Sequence, residues 1–196
     1  MKGTPARTDM CFRIGSMAIS QMITVLLQLQ DEGRLSLDDK LAKHRPGLPN
    51  ADRITLRMLA NFSVLSQVIE EVTGNSAERE IRKRVLMPLG LRHTQISRYA
   101  AFPGPALHSY TSLRGVYEDA TFWSPSWTIG AGQVMSATIG DVALTARAVG
   151  RGALISPAAA RERVADTSAG LPGACRTCTT DWVRSSPATG SSRTRC

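Results

Sequence analysis

Apolar residues at Ile19, Met22, Ile23, Leu26, Leu27 and Leu29 recur at the i, i+3, i+4, i+7, i+8 spacing of a helix with one face on a core. The pattern predicts a helix from Ser16 to about Gly33, ended by that glycine. The period then breaks. "LSLDDKLAKHRPGLP" reads as a short helical turn and loop, with Ser36 and Asp39 at capping-box spacing and Pro46 and Pro49 closing it. Between Thr55 and Thr73, Leu56, Leu59, Val64, Val68 and Val72 predict one or two helices, stopped by Gly74-Asn75. Ser76 is placed to cap another helix, running to about Leu86 before Pro88. Glu78 and Glu80 fall early in it and Arg82, Lys83 and Arg84 late, the order the helix macrodipole favours.

From Thr94 to Ser126 the chain is rich in Pro, Gly and Ser and predicts loops with one or two short strands. "SWTIGAGQVMS" combines glycines suited to a tight backbone approach with a short strand. Thr138 and Asp141 again have capping-box spacing and open a helix to about Gly150. Ser156-Pro157 begins a last helix, with proline at the first helical position. After about Val164, small and polar residues plus arginine follow with no period of 2 or 3.6. Such a segment buries too little apolar area to offset its ordering entropy. The expected division is therefore one domain over 1–164 and a low-complexity, disordered tail over 165–196. The abrupt change in composition resembles an out-of-frame reading of a GC-rich gene.

Composition changes this picture little. A chain of 196 residues, 42% hydrophobic and 20% charged, supports one soluble domain. With 5% aromatic residues its core must be mostly aliphatic. The net charge of +8 raises nucleic-acid binding. The basic residues are scattered, however, with no dense basic run, so a solvated arginine-rich surface is expected and no nucleic-acid partner. Cys175 and Cys178 form a lone C-x-x-C without a second pair or a neighbouring His, so no metal site is expected. Cys11 and Cys196 complete too small a set for a disulfide framework in a chain this long. Gly130-Ala131-Gly132 lacks the third glycine and the helix of a dinucleotide loop, and no cofactor is expected. No apolar run reaches the roughly 18 residues of a membrane span. "MKGTPARTDMCFRIGS" is interrupted by Asp9, Arg13 and Ser16 and does not read as a signal peptide, so the chain as written is expected in the cytoplasm.

Three stretches are specific. "FRIGSMAISQMITVLLQLQDEGRLSLDDKLAKHRPGLPNADRITLRMLANFS" resembles the nucleophile region of the serine β-lactamase-like hydrolases: class C β-lactamases, D-alanyl-D-alanine carboxypeptidases, penicillin-binding proteins and related esterases. "VIEEVTGNSAEREIRKRVLMPLGLRHT" is similar to the same family's later helix pair, and "SWTIGAGQVMSATIGDVA" to the segment that follows. The resemblance spans about residues 10 to 160. It implies an incomplete α+β fold of the β-lactamase/transpeptidase type, mostly its helical part with few strands, and acyl-enzyme hydrolysis of a β-lactam, peptide or ester carbonyl. Members of the family are often exported.

In such enzymes the nucleophilic serine of S-x-x-K needs an adjacent base. A Y-x-N tyrosine relays the proton, and a K/H-x-G strand binds substrate carboxylate. Carried over, the nucleophile position is Ser16 and the lysine position is Ile19. Alignment back from "VIEEVTG" puts Arg57 at the tyrosine position and Leu59 at the asparagine position, with a long segment missing between "ITLRMLA" and "NFSVL". No K/H-x-G occurs beyond residue 160, and few residues precede Phe12 to form the family's first strands. The expectation is a truncated, internally shortened relative, inactive or very weak, in which Ser16 serves as the N-cap of its helix. The alternative is a non-catalytic module that holds a cell-wall peptide or a protein partner. Among other polar residues, His44, His93 and His108 are expected on the surface, and Glu70 and Glu71 on a solvated helix face. Trp123 and Trp127 are expected to pack loops.

Overall fold

A computed structural model of the chain describes residues 5–59, 62–96, 104–123 and 135–165. Trp127, the segment 130–132, Cys175, Cys178, Cys196 and the expected tail beyond Ala165 lie outside the described residues. Among the described residues the α-helices are α1 (Ala18–Asp31), α2 (Phe62–Thr73), α3 (Ala77–Ile81), α4 (Ile139–Gly150) and α5 (Pro157–Arg163). The short strands among them are β1 (Cys11–Arg13), β2 (Gln95–Ile96), β3 (Tyr110–Thr111), β4 (Glu118–Asp119) and β5 (Met135–Thr138).

α1 is the central element. Ala18, Met22, Val25, Leu26, Leu27 and Leu29 are each at most 2% exposed, so it is enclosed well beyond the single stripe its period suggests. α2 and α3 pack on it from one direction, contributing Leu65, Val68, Ile69 and Ile81 to the core, and α4 packs from another. The helix ends in a Schellman motif: Arg34 N–H donates to Leu29 O (2.9 Å) and Gly33 N–H to Gln30 O (2.8 Å).

The capping residues act as their spacing predicts. Ser76 accepts from Arg79 N–H (3.3 Å), Thr138 from Asp141 N–H (3.4 Å) and Ser156 from Ala159 N–H (3.1 Å). At Ser36 the box closes through Asp39, whose carboxylate accepts Ser36 N–H at 3.0 Å. The helix after Ser76 does not run unbroken to Leu86; α3 passes into a π-helical turn over Arg82–Leu86. Within that turn Arg84 ties Glu80 and Glu32 together, which fastens it to the end of α1.

The main sheet is antiparallel with order β1-β5-β2. Cys11 pairs with Thr138, Phe12 with Ala137 and Arg13 with Ser136, while Gln95 lies opposite Ser136. All four residues of the central strand β5 are buried. The other edge of β1 is covered by the segment 105–107, through Cys11 N–H to Pro105 O and Leu107 N–H to Cys11 O, both 2.8 Å. β3 and β4 form a separate hairpin, so among its described residues the region expected to hold one or two short strands holds three, β2, β3 and β4.

Two glycines separate backbone strain from crowding. Gly15 (φ +53°) has open space where a Cβ would stand, whereas a Cβ on Gly152 (φ +65°), the C-terminal glycine after α4, would meet Ala160 Cβ at 2.6 Å. Gly15→Ala is expected to cost about 1 kcal/mol from the left-handed backbone alone. Gly152→Ala should cost distinctly more, and chemical denaturation of both variants checks the order.

Candidate active site around Ser16

β1 delivers the chain to α1 through one more sheet bond, Ile14 N–H to Met135 O at 2.9 Å, and then the left-handed Gly15. A 3-10 turn over Gly15–Met17 follows and runs directly into α1. This sets Ser16 exposed at the mouth of the helix. Ser16 is not the N-cap expected of it. The N-cap position is Met17, at φ −59° and ψ −26°, and no side chain caps this start. A capping side chain needs extended backbone at its own residue, and here the preceding 3-10 turn already holds the chain helical.

Ser16 opens on a cavity of about 450 Å³ between α1, α4 and the sheet. Among the described residues no titratable side chain lines it. Ile19 is half-buried one turn along α1. Arg57 faces elsewhere, onto a second cavity of about 210 Å³ shared with Leu26, Leu56, Leu59 and Glu162. Its guanidinium donates to Asp38 Oδ1 and Oδ2 (3.0 and 3.2 Å) and pairs with Glu162. The hydrogen bond to Asp38, then that to Glu162, pushes the Arg57 pKa up further, so the group stays a cation. Ser16 and Arg57 are therefore not brought together on one cavity.

His44 corrects its expected surface position: its side chain is 6% exposed. Its ring places Nδ1 3.4 Å from Glu71 Oε1 and Nε2 3.8 Å from Asp39 Oδ2. Glu71 is exposed as expected, but Glu70 has a structural task, accepting Ala77 N–H at 3.1 Å where α3 begins. His93 is exposed. His108 is exposed too, with Nδ1 2.5 Å from Asp119 Oδ2 and its ring edge-on to Phe122. Trp123 packs under the Arg114 guanidinium, 5.4 Å from the ring centre.

Two buried polar groups escape a reading by spacing alone. Asp141 fits the capping-box pattern, yet its carboxylate reaches across to His93 N–H (2.9 Å) and the Thr94 hydroxyl (2.8 Å), pinning α4 to the lead into β2. Gln21, a polar residue within an apolar helix, is 1% exposed and lines the Ser16 cavity. Among the described residues no group of three or more His, Cys, Asp or Glu could hold a metal ion, and no helix is long and apolar enough to cross a membrane.

The family model described as Beta-lactamase matches residues 1–64 and 60–190. The chain belongs to that family, as an incomplete α+β member with several helices and few strands. The two matches meet at residues 60–64, beside the point where the resemblance implies a missing segment. The D-stereospecific amidohydrolase from Streptomyces sp. superposes with a TM-score of 0.70 at 26% identity, covering 79% of this chain and 65% of that one. The D-amino acid amidase from Ochrobactrum anthropi SV3, complexed with L-phenylalanine amide, gives 0.70 at 20% identity, covering 81% and 61%. In sequence the chain is 24% identical over 139 residues to PbpX of Bacillus subtilis (strain 168), provisionally named a penicillin-binding protein. That match covers 49% of this chain and 36% of PbpX, so the chain spans about a third of that relative's length.

Two outcomes test this description. Asp141→Ala leaves His93 N–H and the Thr94 hydroxyl without their acceptor and is expected to cost about 1–3 kcal/mol, read by thermal unfolding. Thr121, through its hydroxyl and N–H, and then His108 hold the Asp119 carboxyl down at about 2, against 3.8 ordinarily. A depressed carboxyl stabilises the fold above the unfolded value, and that contribution is lost as pH falls through the folded one. The hairpin contact should therefore be complete above about pH 4 and fade toward pH 2, measurable as an NMR titration of Asp119.

Proposed function

We propose that this chain keeps the scaffold of a serine acyl-transfer hydrolase, with Ser16 at the nucleophile position, and lacks efficient turnover. The observation that carries the reading is the half-buried hydrocarbon of Ile19 where the resemblance places the lysine ammonium. Isoleucine neither takes nor gives a proton, and a serine hydroxyl is a weak nucleophile without a base. Arg57, at the tyrosine position, is a permanent cation engaged by two carboxylates and cannot relay a proton. General acid–base assistance is typically worth about 10²–10⁴-fold, and members of a catalytic unit fail together.

The reaction the scaffold descends from is attack on a β-lactam, peptide, amide or ester carbonyl. The printed descriptions of two similar structures, an amidohydrolase and an amidase for D-configured substrates, support the amide among these. The alternative, a module holding a cell-wall peptide, is less well supported. The peptide's terminal carboxylate needs a cationic partner, and among the described residues none lines the Ser16 cavity.

Hydrolysis of D-phenylalanine amide, a chromogenic cephalosporin and p-nitrophenyl acetate tests the proposal, with Ser16→Ala as control. The expected result is equal rates for the two proteins on all three. Turnover by the unaltered chain that disappears in Ser16→Ala would overturn it.

A further inference from the structure

We propose that the tip of the β3–β4 hairpin inserts into the headgroup region of an anionic lipid surface and docks the chain there. Half of the large hydrophobic side chains that stand exposed among the described residues lie between Leu107 and Phe122, on this one ribbon. Single apolar residues on a surface are ordinary, whereas a group of them on one element marks an interaction site. The ribbon is a sheet of its own, not hydrogen-bonded into β1-β5-β2.

The turn between the strands is closed by Gly115 N–H to Ser112 O at 2.9 Å, with Gly115 in the left-handed region at φ +80°. Leu113, Val116 and Tyr117 on this turn are 87%, 59% and 65% exposed. From Ser112 to Tyr117 the one charged residue is Arg114. Its guanidinium folds back, donating from Nε to Glu118 Oε1 at 2.7 Å and lying 5.4 Å over the Trp123 ring. The apex is therefore apolar. Behind it Glu118 is paired with Arg114, and Asp119 meets His108 at 2.5 Å.

This order of side chains matches a lipid interface. Leu113 and Val116 supply hydrocarbon at the apex. Tyr117 and Tyr110 follow, their rings stacked 5.3 Å apart and within 8° of parallel, and tyrosine concentrates at the headgroup level of a bilayer. The long apolar stem of Arg114 lets its charge reach lipid phosphate while the stem stays among hydrocarbon. The net charge of +8 complements an anionic surface, and attraction of this kind adds to the burial of apolar area. A second copy fits less well. Strands of two residues each offer little edge to pair, and a stable protein interface buries upwards of about 1,000 Å².

Co-sedimentation of the full chain with vesicles of equal parts phosphatidylglycerol and phosphatidylcholine tests the proposal. Binding is expected, about tenfold weaker on phosphatidylcholine alone and weakened by added salt. The double variant Leu113→Asp, Val116→Asp should bind at least about tenfold more weakly with unchanged circular dichroism, since both side chains are exposed. Leu144→Asp, an exposed apolar residue on α4, should bind as the unaltered chain does. The proposal is overturned if the chain fails to sediment with the anionic vesicles, or if the double variant binds undiminished. It is also overturned if Leu144→Asp loses as much binding, or if sedimentation velocity shows a dimer that the double variant abolishes, which would assign the tip to a second copy. Nothing in it involves Ser16, so it stands or falls apart from the hydrolysis test.

Discussion

Leu26, Leu27 and Leu29 stand on different sides of α1, successive residues being about 100° apart, yet each is at most 2% exposed. A helix enclosed on so many sides is stable only with neighbours around it, and those neighbours come from distant parts of the chain. α2 and α3 cover one side, α4 and β5 another, and Leu41 and Leu56 of the connecting segments join the same core. Even the polar residues near its end are tied across long separations. Gln28 Nε2 donates to Leu154 O (2.8 Å), Gln30 Nε2 to Glu162 (2.5 Å), and Asp31 accepts from Ser156 N–H (2.8 Å) and its hydroxyl (2.6 Å).

The same constraint places the site. β1 leads into α1 and β5 leads into α4, and because the strands are antiparallel the two helices leave the ladder at opposite ends. The start of α1 thus comes beside the later turns of α4, where Met17 and Ser20 share a cavity with Ala146 and Val149. Gly15 turns the chain from strand to helix and holds Ser16 exposed at that junction. The scaffold presents an exposed serine on a cavity, while the residue one turn further is an isoleucine. Position and reactivity are separable here: backbone pairing and helix packing supply the first, and the second needs ionisable neighbours.

What could be read from the sequence was local. The helix over residues 18–31, its glycine stop, and the caps at Ser76, Thr138 and Ser156 all rest on interactions within about five residues, and each pattern names its own partner. The readings that failed depend on distant contacts or on backbone the pattern does not encode. The His44 ring lies between Asp39 and the distant Glu71, and Ser16 does not cap because the 3-10 turn before α1 is already helical. Gln21 is a polar residue within an apolar helix, and α4 and β5, more than a hundred residues further along the chain, supply walls of the cavity it lines. Ser16, Ile19 and Arg57 were singled out by the family resemblance alone, and spacing gave no indication that Arg57 would be held by Asp38 and Glu162.

A chain in which an isoleucine stands one turn beyond the exposed serine should fail at acylation itself, before any question of turnover. Intact-mass spectrometry of the full chain after prolonged incubation with excess benzylpenicillin reads that step directly. An unchanged mass at all times is the result this account predicts. A stoichiometric penicilloyl adduct mapped to Ser16 would contradict it, because it would mean that the hydroxyl is activated without a base at position 19.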